Sequence, residues 1–247
     1  MRTLHGRQSD QGRVRASNED SYVANGNAGL FLVADGMGGH AAGEVASKEA
    51  AETIERIVLS SDAQDDPGEL LRKAVESANL RVYEKQRQRA EYGGMGSTLT
   101  ALLFRDGKYY VAHVGDSRAY LWRDRTLSQI TKDHSVVWHL YENGLLQKED
   151  LCRHPQKNLI TRSIGPHPTV ESDLESGEVR GSDVYMLCSD GLTDVLPDET
   201  ISGILAQPDR TPQDLANALV ASANAGGGPD NVTVVVVRIE PNGPVDT

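Results

Sequence analysis

The arrangement of hydrophobic and polar residues predicts both helices and strands in this chain. Between residues 39 and 60 the apolar positions recur at helical spacing, which predicts an amphipathic helix. A second helix is predicted from Pro67, a residue suited to a first helical turn, to about residue 89. Thr211-Pro212 indicates the start of a third, whose apolar face ends near Ser222. Continuous apolar runs predict buried strands over residues 30–34, 184–188 and 232–239.

The middle of the chain has a different pattern. Short β-rich runs separated by turn residues predict an antiparallel meander over residues 99–104, 109–114 and 119–122. Residues 132–168 are the least regular portion, which we interpret as a short helix and a surface flap at about 134–168. No repeat or linker divides the chain, so a single domain over residues 1–247 is expected. Strands with helices gathered between them favour an α+β fold of antiparallel sheets flanked by helices.

Composition narrows the classes of function. With 247 residues and a formal net charge of -11, the chain lacks the excess of Lys and Arg that general binding to nucleic acid requires. No apolar run approaches the roughly 18 residues of a membrane span, and the first residues have no signal-peptide pattern. We therefore expect a cytoplasmic monomer without membrane attachment. The two cysteines, Cys152 and Cys188, fit neither a disulfide framework nor a zinc site, and Cys188 is expected in the core.

Acidic residues at the edges of apolar runs are the main candidates for chemistry. They occur in four dipeptides: Glu19-Asp20, Asp35-Gly36, Asp190-Gly191 and Asp230-Asn231. Strand ends are rigid places to hold ligands, and carboxylate oxygens without clustered Cys or His select Mg²⁺ or Mn²⁺. Two such ions about 3.5–4 Å apart can activate a water for attack on phosphorus. Bound cations would also offset the repulsion between an acidic protein and a phosphorylated substrate.

Seven motifs occur in order between residues 15 and 231. They are Arg15-x-x-Asn18-Glu19-Asp20, Val33-Ala34-Asp35-Gly36-Met37-Gly38-Gly39-His40, Gly96-Ser97-Thr98, Val114-Gly115-Asp116-Ser117-Arg118, Asn158-Leu159-Ile160-Thr161-Arg162, Ser189-Asp190-Gly191-Leu192 and Gly228-Pro229-Asp230-Asn231. Together they resemble the PPM, or PP2C-type, metal-dependent protein serine/threonine phosphatases in their bacterial form. The resemblance implies a four-layer α-β-β-α sandwich. It also implies hydrolysis of phosphoserine and phosphothreonine on proteins by a hydroxide activated between two metal ions, opposing a Ser/Thr kinase.

The resemblance assigns roles to particular carboxylates. Asp35, Asp190 and Asp230 would hold the first metal ion. Asp35 and the carbonyl of Gly36 would hold the second, with Glu19 or Asp20 reached directly or through water. Asp116, together with Asp190, matches a third, weaker site of bacterial relatives. From the residues alone, Asp116 could instead close a hairpin between two strands.

Two further residues receive catalytic roles by resemblance. Arg15 matches the arginine that grips the substrate phosphate, a task suited to a fixed guanidinium. Eukaryotic members carry His directly after the Asp-Gly, where this chain has Met37. His40 is therefore the candidate for protonating the leaving alkoxide, with helix capping as its alternative. The other six histidines are expected at the surface or in the flap.

Three alternatives compete with this interpretation. The run Gly36-x-Gly38-x-x-Ala41 after an apolar strand fits a dinucleotide-binding fingerprint, although no second acidic strand follows about 20 residues later. A cysteine-dependent phosphatase fails because neither cysteine has an Arg six residues later. A non-catalytic phosphoprotein-binding module on the same fold stays open, although such proteins typically lose metal carboxylates that are all present here.

Overall fold

A computed structural model describes residues 2–38 and 42–240, apart from the side chain of Cys152. The strands are β1 Thr3–Asp10, β2 Asp20–Asn25, β3 Leu30–Met37, β4 Gly96–Ser97, β5 Leu99–Arg105, β6 Lys108–Val114, β7 Arg118–Arg123, β8 Thr126–Gln129, β9 Asp173–Glu178, β10 Val184–Cys188 and β11 Val232–Ile239. The α-helices are α1 Ala42–Leu59, α2 Pro67–Gln88, α3 Val136–Glu142, α4 Asp190–Thr193, α5 Asp198–Leu205 and α6 Pro212–Ala225. None of the described helices is both long enough and apolar enough to cross a bilayer.

Two antiparallel sheets form the centre of the fold. One has the strand order β1-β11-β10-β7-β8, and the other has the order β2-β3-β5-β6-β9 with β4 paired to β3. Helices α1 and α2 cover the outer face of the second sheet, while α4, α5 and α6 cover the first. The predicted α+β fold, a four-layer α-β-β-α sandwich, is confirmed.

The central strands are buried on both faces, which explains their continuous apolar sequences. In β3, Leu30 and Leu32 pack under α1 and α2, whereas Phe31 and Val33 point into the layer between the sheets. The residues of β11 alternate in the same way between the helical layer and the inter-sheet layer. Because both faces are covered, alternation of apolar with polar residues is lost in these strands. Cys188 is fully buried, as expected.

The predicted meander is wrong. Strands β5 and β6 form a hairpin in one sheet, but β7 lies in the other sheet between β10 and β8. Residues 115–117 carry the chain across, and Gly115 adopts a left-handed φ of 110° there. The alternative of a hairpin closed by Asp116 is wrong for the same reason. The residues of the loop between β6 and β7 therefore lie at the junction of the two sheets.

The helix predictions are confirmed within a few residues. Helix α2 begins at Pro67, after Asp66 accepts a hydrogen bond from the amide of Glu69. Helix α6 has a full capping box between Thr211 and Asp214, and it continues to Ala225, three residues beyond the predicted end. The capping side chains satisfy amide groups that would otherwise lack partners at each helix start.

The expectation that the other six histidines lie at the surface or in the flap is wrong for His113. His134 is the first residue of the predicted flap, but it is buried. His113 is 1% exposed in β6, where its Nε2 donates to the carbonyl of Lys132 at 3.0 Å and its Nδ1 contacts the hydroxyl of Thr100 at 2.9 Å. The ring centroids of the two histidines are 4.8 Å apart. Burial, followed by the neighbouring His134, lowers the pKa of His113 to about 3.

We expect His113 to make the protein less stable as the pH falls. The unfolded chain takes up a proton near the ordinary histidine pKa, whereas the folded chain does so only near pH 3. Between these values the free energy of unfolding falls by up to about 1.4 kcal/mol for each pH unit lost. In urea unfolding from pH 7 to pH 5, His113→Gln should show a shallower loss than the parent. The exposed His167→Gln should follow the parent; equal slopes in all three proteins would contradict this prediction.

Candidate metal centre

Carboxylates from the second sheet meet where β2 begins and β3 ends. Asp20 is paired directly with Asp35 across these antiparallel strands. The amide of Asp35 donates to Thr98 Oγ1 at 2.9 Å, and the amide of Gly36 donates to the carbonyl of Glu19 at 3.2 Å. The carboxylate of Glu19 instead reaches the start of α1, beside Gly43. Of the two acidic neighbours, Asp20 is thus the one that lies against Asp35.

The first sheet contributes Asp190 and Asp230 to the same place. Asp190 is the first residue of α4, one residue after the end of β10, and Asp230 lies just before β11. Ser189 joins the sheets, since its hydroxyl donates to Asp20 Oδ2 at 2.8 Å and accepts from the amide of Thr233 at 3.0 Å. The predicted acidic residues are therefore brought together from sequence positions that are far apart.

Asn231 organises the loop that carries Arg15 and Glu19. Its Oδ1 accepts from the amide of Glu19 at 2.8 Å, and its Nδ2 donates to the carbonyls of Ser17 and Gln11 at 2.8 and 2.9 Å. The side chain is buried, so these bonds are shielded from water. The sequence placed Asn231 in a motif without giving it a role. Its adjacency to Asp230 was the only available signal.

Glycine is required at two positions beside the carboxylates. A Cβ built on Gly36 would lie 2.2 Å from the carbonyl oxygen of Gly43, and one on Gly191 would lie 2.0 Å from that of Asn231. Neither contact can be relieved by a flexible side chain, because both involve backbone atoms. These glycines allow α1 and the start of β11 to approach the acidic residues closely.

The grouped carboxylates are electrostatically unfavourable without cations. Burial raises the pKa of Asp20 to about 6, and burial together with the charge of Asp133 raises the pKa of Asp116 to about 7. The pKa values of Asp35 and Asp190 are raised well above the ordinary range, first by burial and then by neighbouring aspartates. Removal from water also raises the pKa of Glu19. Each shift has the sign expected where negative charge is concentrated.

The donor set fits hard divalent cations. Two buried carboxylate oxygens, Asp20 Oδ1 and Asp190 Oδ1, have no hydrogen-bond partner. Such atoms are costly unless a ligand satisfies them, and oxygen-only donors are those that Mg²⁺ and Mn²⁺ prefer. Asp116 and Asp190 also line one cavity of about 390 Å³, which residues between positions 137 and 158 line as well.

Arg15 forms an ion pair with one of the carboxylates, Asp230. Its Nη2 lies 2.6 Å from Asp230 Oδ2, and this hydrogen bond is the main reason for the raised pKa of Arg15. Within residues 2–38 and 42–240, no group of three or more His, Cys, Asp or Glu side chains is arranged so that it could hold a metal ion. An ion pair this exposed contributes only about 0.2–1 kcal/mol, so a divalent cation can displace it.

Two predicted features have different outcomes. His40 lies outside the described residues, so its role stays a prediction. The dinucleotide-binding alternative, by contrast, is excluded by topology. That fingerprint belongs to a parallel βαβ unit, whereas β3 pairs antiparallel with β2, β4 and β5.

The comparison with known proteins agrees with what the geometry of the site indicates. Residues 5–138 match the family described as protein phosphatase 2C. The chain is 37% identical over 236 residues to the serine/threonine phosphatase stp of Listeria monocytogenes, covering 93% of both proteins. The chain belongs to the protein phosphatase 2C family. Another member, the serine/threonine protein phosphatase PstP of Mycobacterium tuberculosis, is 44% identical over 234 residues, which are 94% of this chain and 44% of that relative.

Solved structures of the protein phosphatase 2C family share the whole sandwich. A crystal structure of the M. tuberculosis phosphatase PstP superposes with a TM-score of 0.91 at 42% identity, covering 97% of this chain and 100% of that one. A second structure, the PstP catalytic domain in complex with two manganese ions, has a TM-score of 0.88 at 41% identity, covering 96% and 98% of the two chains. The acidic group described above therefore lies within a family fold in which one relative binds two manganese ions.

Proposed function

We propose that this protein hydrolyses phosphoserine and phosphothreonine on other proteins with the help of Mn²⁺ or Mg²⁺. The observation that carries the proposal is the convergence of carboxylates from both sheets, with two buried oxygens left unpartnered, in a protein phosphatase 2C fold. The expected substrates are phosphorylated proteins, including a Ser/Thr kinase and its targets. We further propose that residues 1–247 act as one domain and as a cytoplasmic monomer.

The carboxylates are assigned to two cation positions and a weaker third. Asp35, Asp190 and Asp230 would hold one ion, and Asp35 with the Gly36 carbonyl would hold the other, near Asp20 and Glu19. Asp116 would share the third with Asp190. When bound, divalent cations lower the pKa of a water and offset the negative charge of a phosphate. The raised pKa values of Asp35 and Asp116 support these assignments, because a nearby cation would favour their charged forms.

The protein's own side chains would orient the substrate and supply a proton. Arg15 is exposed at the edge of the acidic group, so its guanidinium can turn from Asp230 to donate to phosphate oxygens. Ser189 and Asn231 hold Asp20 and the Arg15 loop in place. His40 is proposed to protonate the departing alkoxide of serine or threonine, since it follows the Asp35 motif closely in sequence.

Release of phosphate distinguishes this proposal from a non-catalytic binding module. The protein should release inorganic phosphate from a phosphoserine peptide when Mn²⁺ is present, and a chelator should abolish the release until metal is restored. A binding module would hold the peptide in a calorimetric titration without releasing phosphate. Peptide binding with no release at any Mn²⁺ concentration would overturn the proposed function.

A further inference from the structure

His134, the first residue of the flap segment (residues 134–168), is hydrogen-bonded to the loop that contains Asp116. The amide of His134 donates to the carbonyl of Gly115 at 2.7 Å, and the amide of Gly115 donates to His134 Nδ1 at 3.0 Å. The carbonyl of His134 accepts from the amide of Thr161 at 2.7 Å, on the returning side of the flap. With the ring 8% exposed, these bonds are protected from competition by water.

The hydrogen bonds determine which ring nitrogen of His134 carries the proton. An amide N–H can only donate, so Nδ1 must be the unprotonated nitrogen that accepts from Gly115. Nε2 then carries the proton and donates to Asp173 Oδ2 at 3.2 Å. Arg162 Nη1 also lies 3.1 Å from Nε2, but a guanidinium can only donate, so Nη1 is bonded to Asp173 Oδ1 at 2.7 Å and not to the protonated Nε2. Burial lowers the pKa of His134, which favours this neutral form.

The loop around Asp116 is fixed on its other side as well. A Cβ on Gly115 would lie 2.7 Å from Thr98, so the backbone there already packs against that residue. The hydroxyl of Ser117 is 2.7 Å from that of Thr98, which also accepts from the amide of Asp35. Both neighbours of Asp116 are thus held, Gly115 by the His134 ring and Ser117 by Thr98. Of these contacts, only the one made by His134 comes from the flap segment, residues 134–168.

We infer that His134 is a positioning residue whose Nδ1 holds the Gly115 peptide so that Asp116 faces Asp190 across the cavity that both residues line. The inference rests on the proposed function, because Asp116 matters through the cation it would share with Asp190. The hydrogen bonds of the His134 ring go to Gly115 and Asp173, and neither is one of the carboxylates assigned to metal. Its effect is transmitted through the backbone of a single residue, Gly115.

Two substitutions test the roles of the two ring nitrogens of His134 separately. In His134→Asn the amide oxygen can occupy the place of Nδ1 and accept from Gly115, but it cannot reach Asp173. In His134→Gln the longer amide can reach Asp173 in place of Nε2, while Gly115 loses its acceptor. Asp173→Asn removes the negative charge that faces Nε2 and leaves the Gly115 bond intact, which makes it the matched control.

The expected result is rescue by Asn and not by Gln. In calorimetric titrations with Mn²⁺, His134→Gln should weaken the lowest-affinity site by about tenfold, whereas His134→Asn and Asp173→Asn should stay near the parent. In hydrolysis of p-nitrophenyl phosphate, His134→Gln should lower kcat and leave KM unchanged. Equal losses in the Asn and Gln variants, or a loss in Asp173→Asn as large as in His134→Gln, would overturn the inference.

A measurement on the unaltered protein tests the inference without relying on the folding of a variant. Nitrogen-15 NMR of labelled histidine should show His134 as the neutral tautomer with the proton on Nε2. Detection of a proton on Nδ1 at neutral pH would overturn it. If the parent neither bound Mn²⁺ nor hydrolysed phosphate esters, the proposed function would fail; an active parent with indistinguishable variants would reject only the role of His134.

Discussion

Replacing Asp35 by Asn will lower the turnover of phosphorylated substrate by roughly a thousandfold, because the residue assigned to both cation positions loses its charge. The same change will stabilise the metal-free protein. Asp35 lies among Asp20, Asp190 and Asp116, and burial with these charges raises its pKa well above the ordinary range. A neutral amide removes that repulsion. Without metal the unfolding temperature should therefore rise, and the increase that Mn²⁺ gives the parent should shrink.

Asp106→Asn is the matched control for this prediction. Asp106 also precedes a glycine, but it lies in the exposed turn between β5 and β6 with a φ of 52°, a conformation that Asn adopts readily. Turnover, Mn²⁺ binding and unfolding temperature should all match the parent. Turnover retained in Asp35→Asn would remove this residue from the metal assignment. A lower unfolding temperature without metal would show instead that the acidic group is not under repulsion.

Replacing Arg15 by Ala will lower kcat/KM by on the order of a hundredfold, while leaving Mn²⁺ binding as strong as in the parent or stronger. A guanidinium bonded to phosphate is worth about 1.5–3 kcal/mol, which gives a loss of this size. Arg15 also occupies Asp230 through the 2.6 Å ion pair. Its removal frees that carboxylate for a cation. Steady-state kinetics with p-nitrophenyl phosphate and calorimetry with Mn²⁺ measure the two effects separately.

Arg13→Ala tests whether the loss of kcat/KM is caused by removing Arg15 itself or by removing any positive charge from this loop. Arg13 is exposed two residues earlier, and its side chain reaches Asp10 at 3.5 Å. Its backbone amide, which donates to the carbonyl of Gly228 at 2.7 Å, is kept in the variant. We expect kcat/KM close to the parent. Equal losses in both variants would indicate that general positive charge, and not contact of Arg15 with phosphate, governs the rate.

The elements that the sequence predicted well are those whose pattern has a single cause. Strands β10 and β11 are covered on both sides and are therefore mostly apolar, and α2 and α6 have capping residues at their starts. Strands β1 and β9 were missed. Each is at the edge of a sheet, where polar and charged residues are tolerated, and their sequences have little apolar content. The crossing of β7 into the other sheet was not predicted either, because the β6 to β7 connection is as short as a hairpin loop.

For the candidate centre, sequence motifs identified the carboxylates but not what holds them. Ser189, Thr98 and Asn231 stood in the recognised motifs without roles, since their hydrogen bonds reach partners far away along the chain. The positions of His113 and His134 also depend on tertiary packing. A buried histidine in a strand or at the start of a flap has no local signature. Only the fold shows which of its nitrogens is an acceptor.

Because the carboxylates come from both sheets, bound cations would affect how the two sheets move relative to each other. Asp20 and Asp35 belong to one sheet, Asp190 and Asp230 flank strands of the other, and residues 115–117 bridge the two. Cations bound among them would cross-link the sheets at one end, in addition to the apolar layer between them. Sliding of one sheet over the other would then require breaking ionic bonds. Binding of metal would thus couple the two sheets, so that they would unfold together instead of separately.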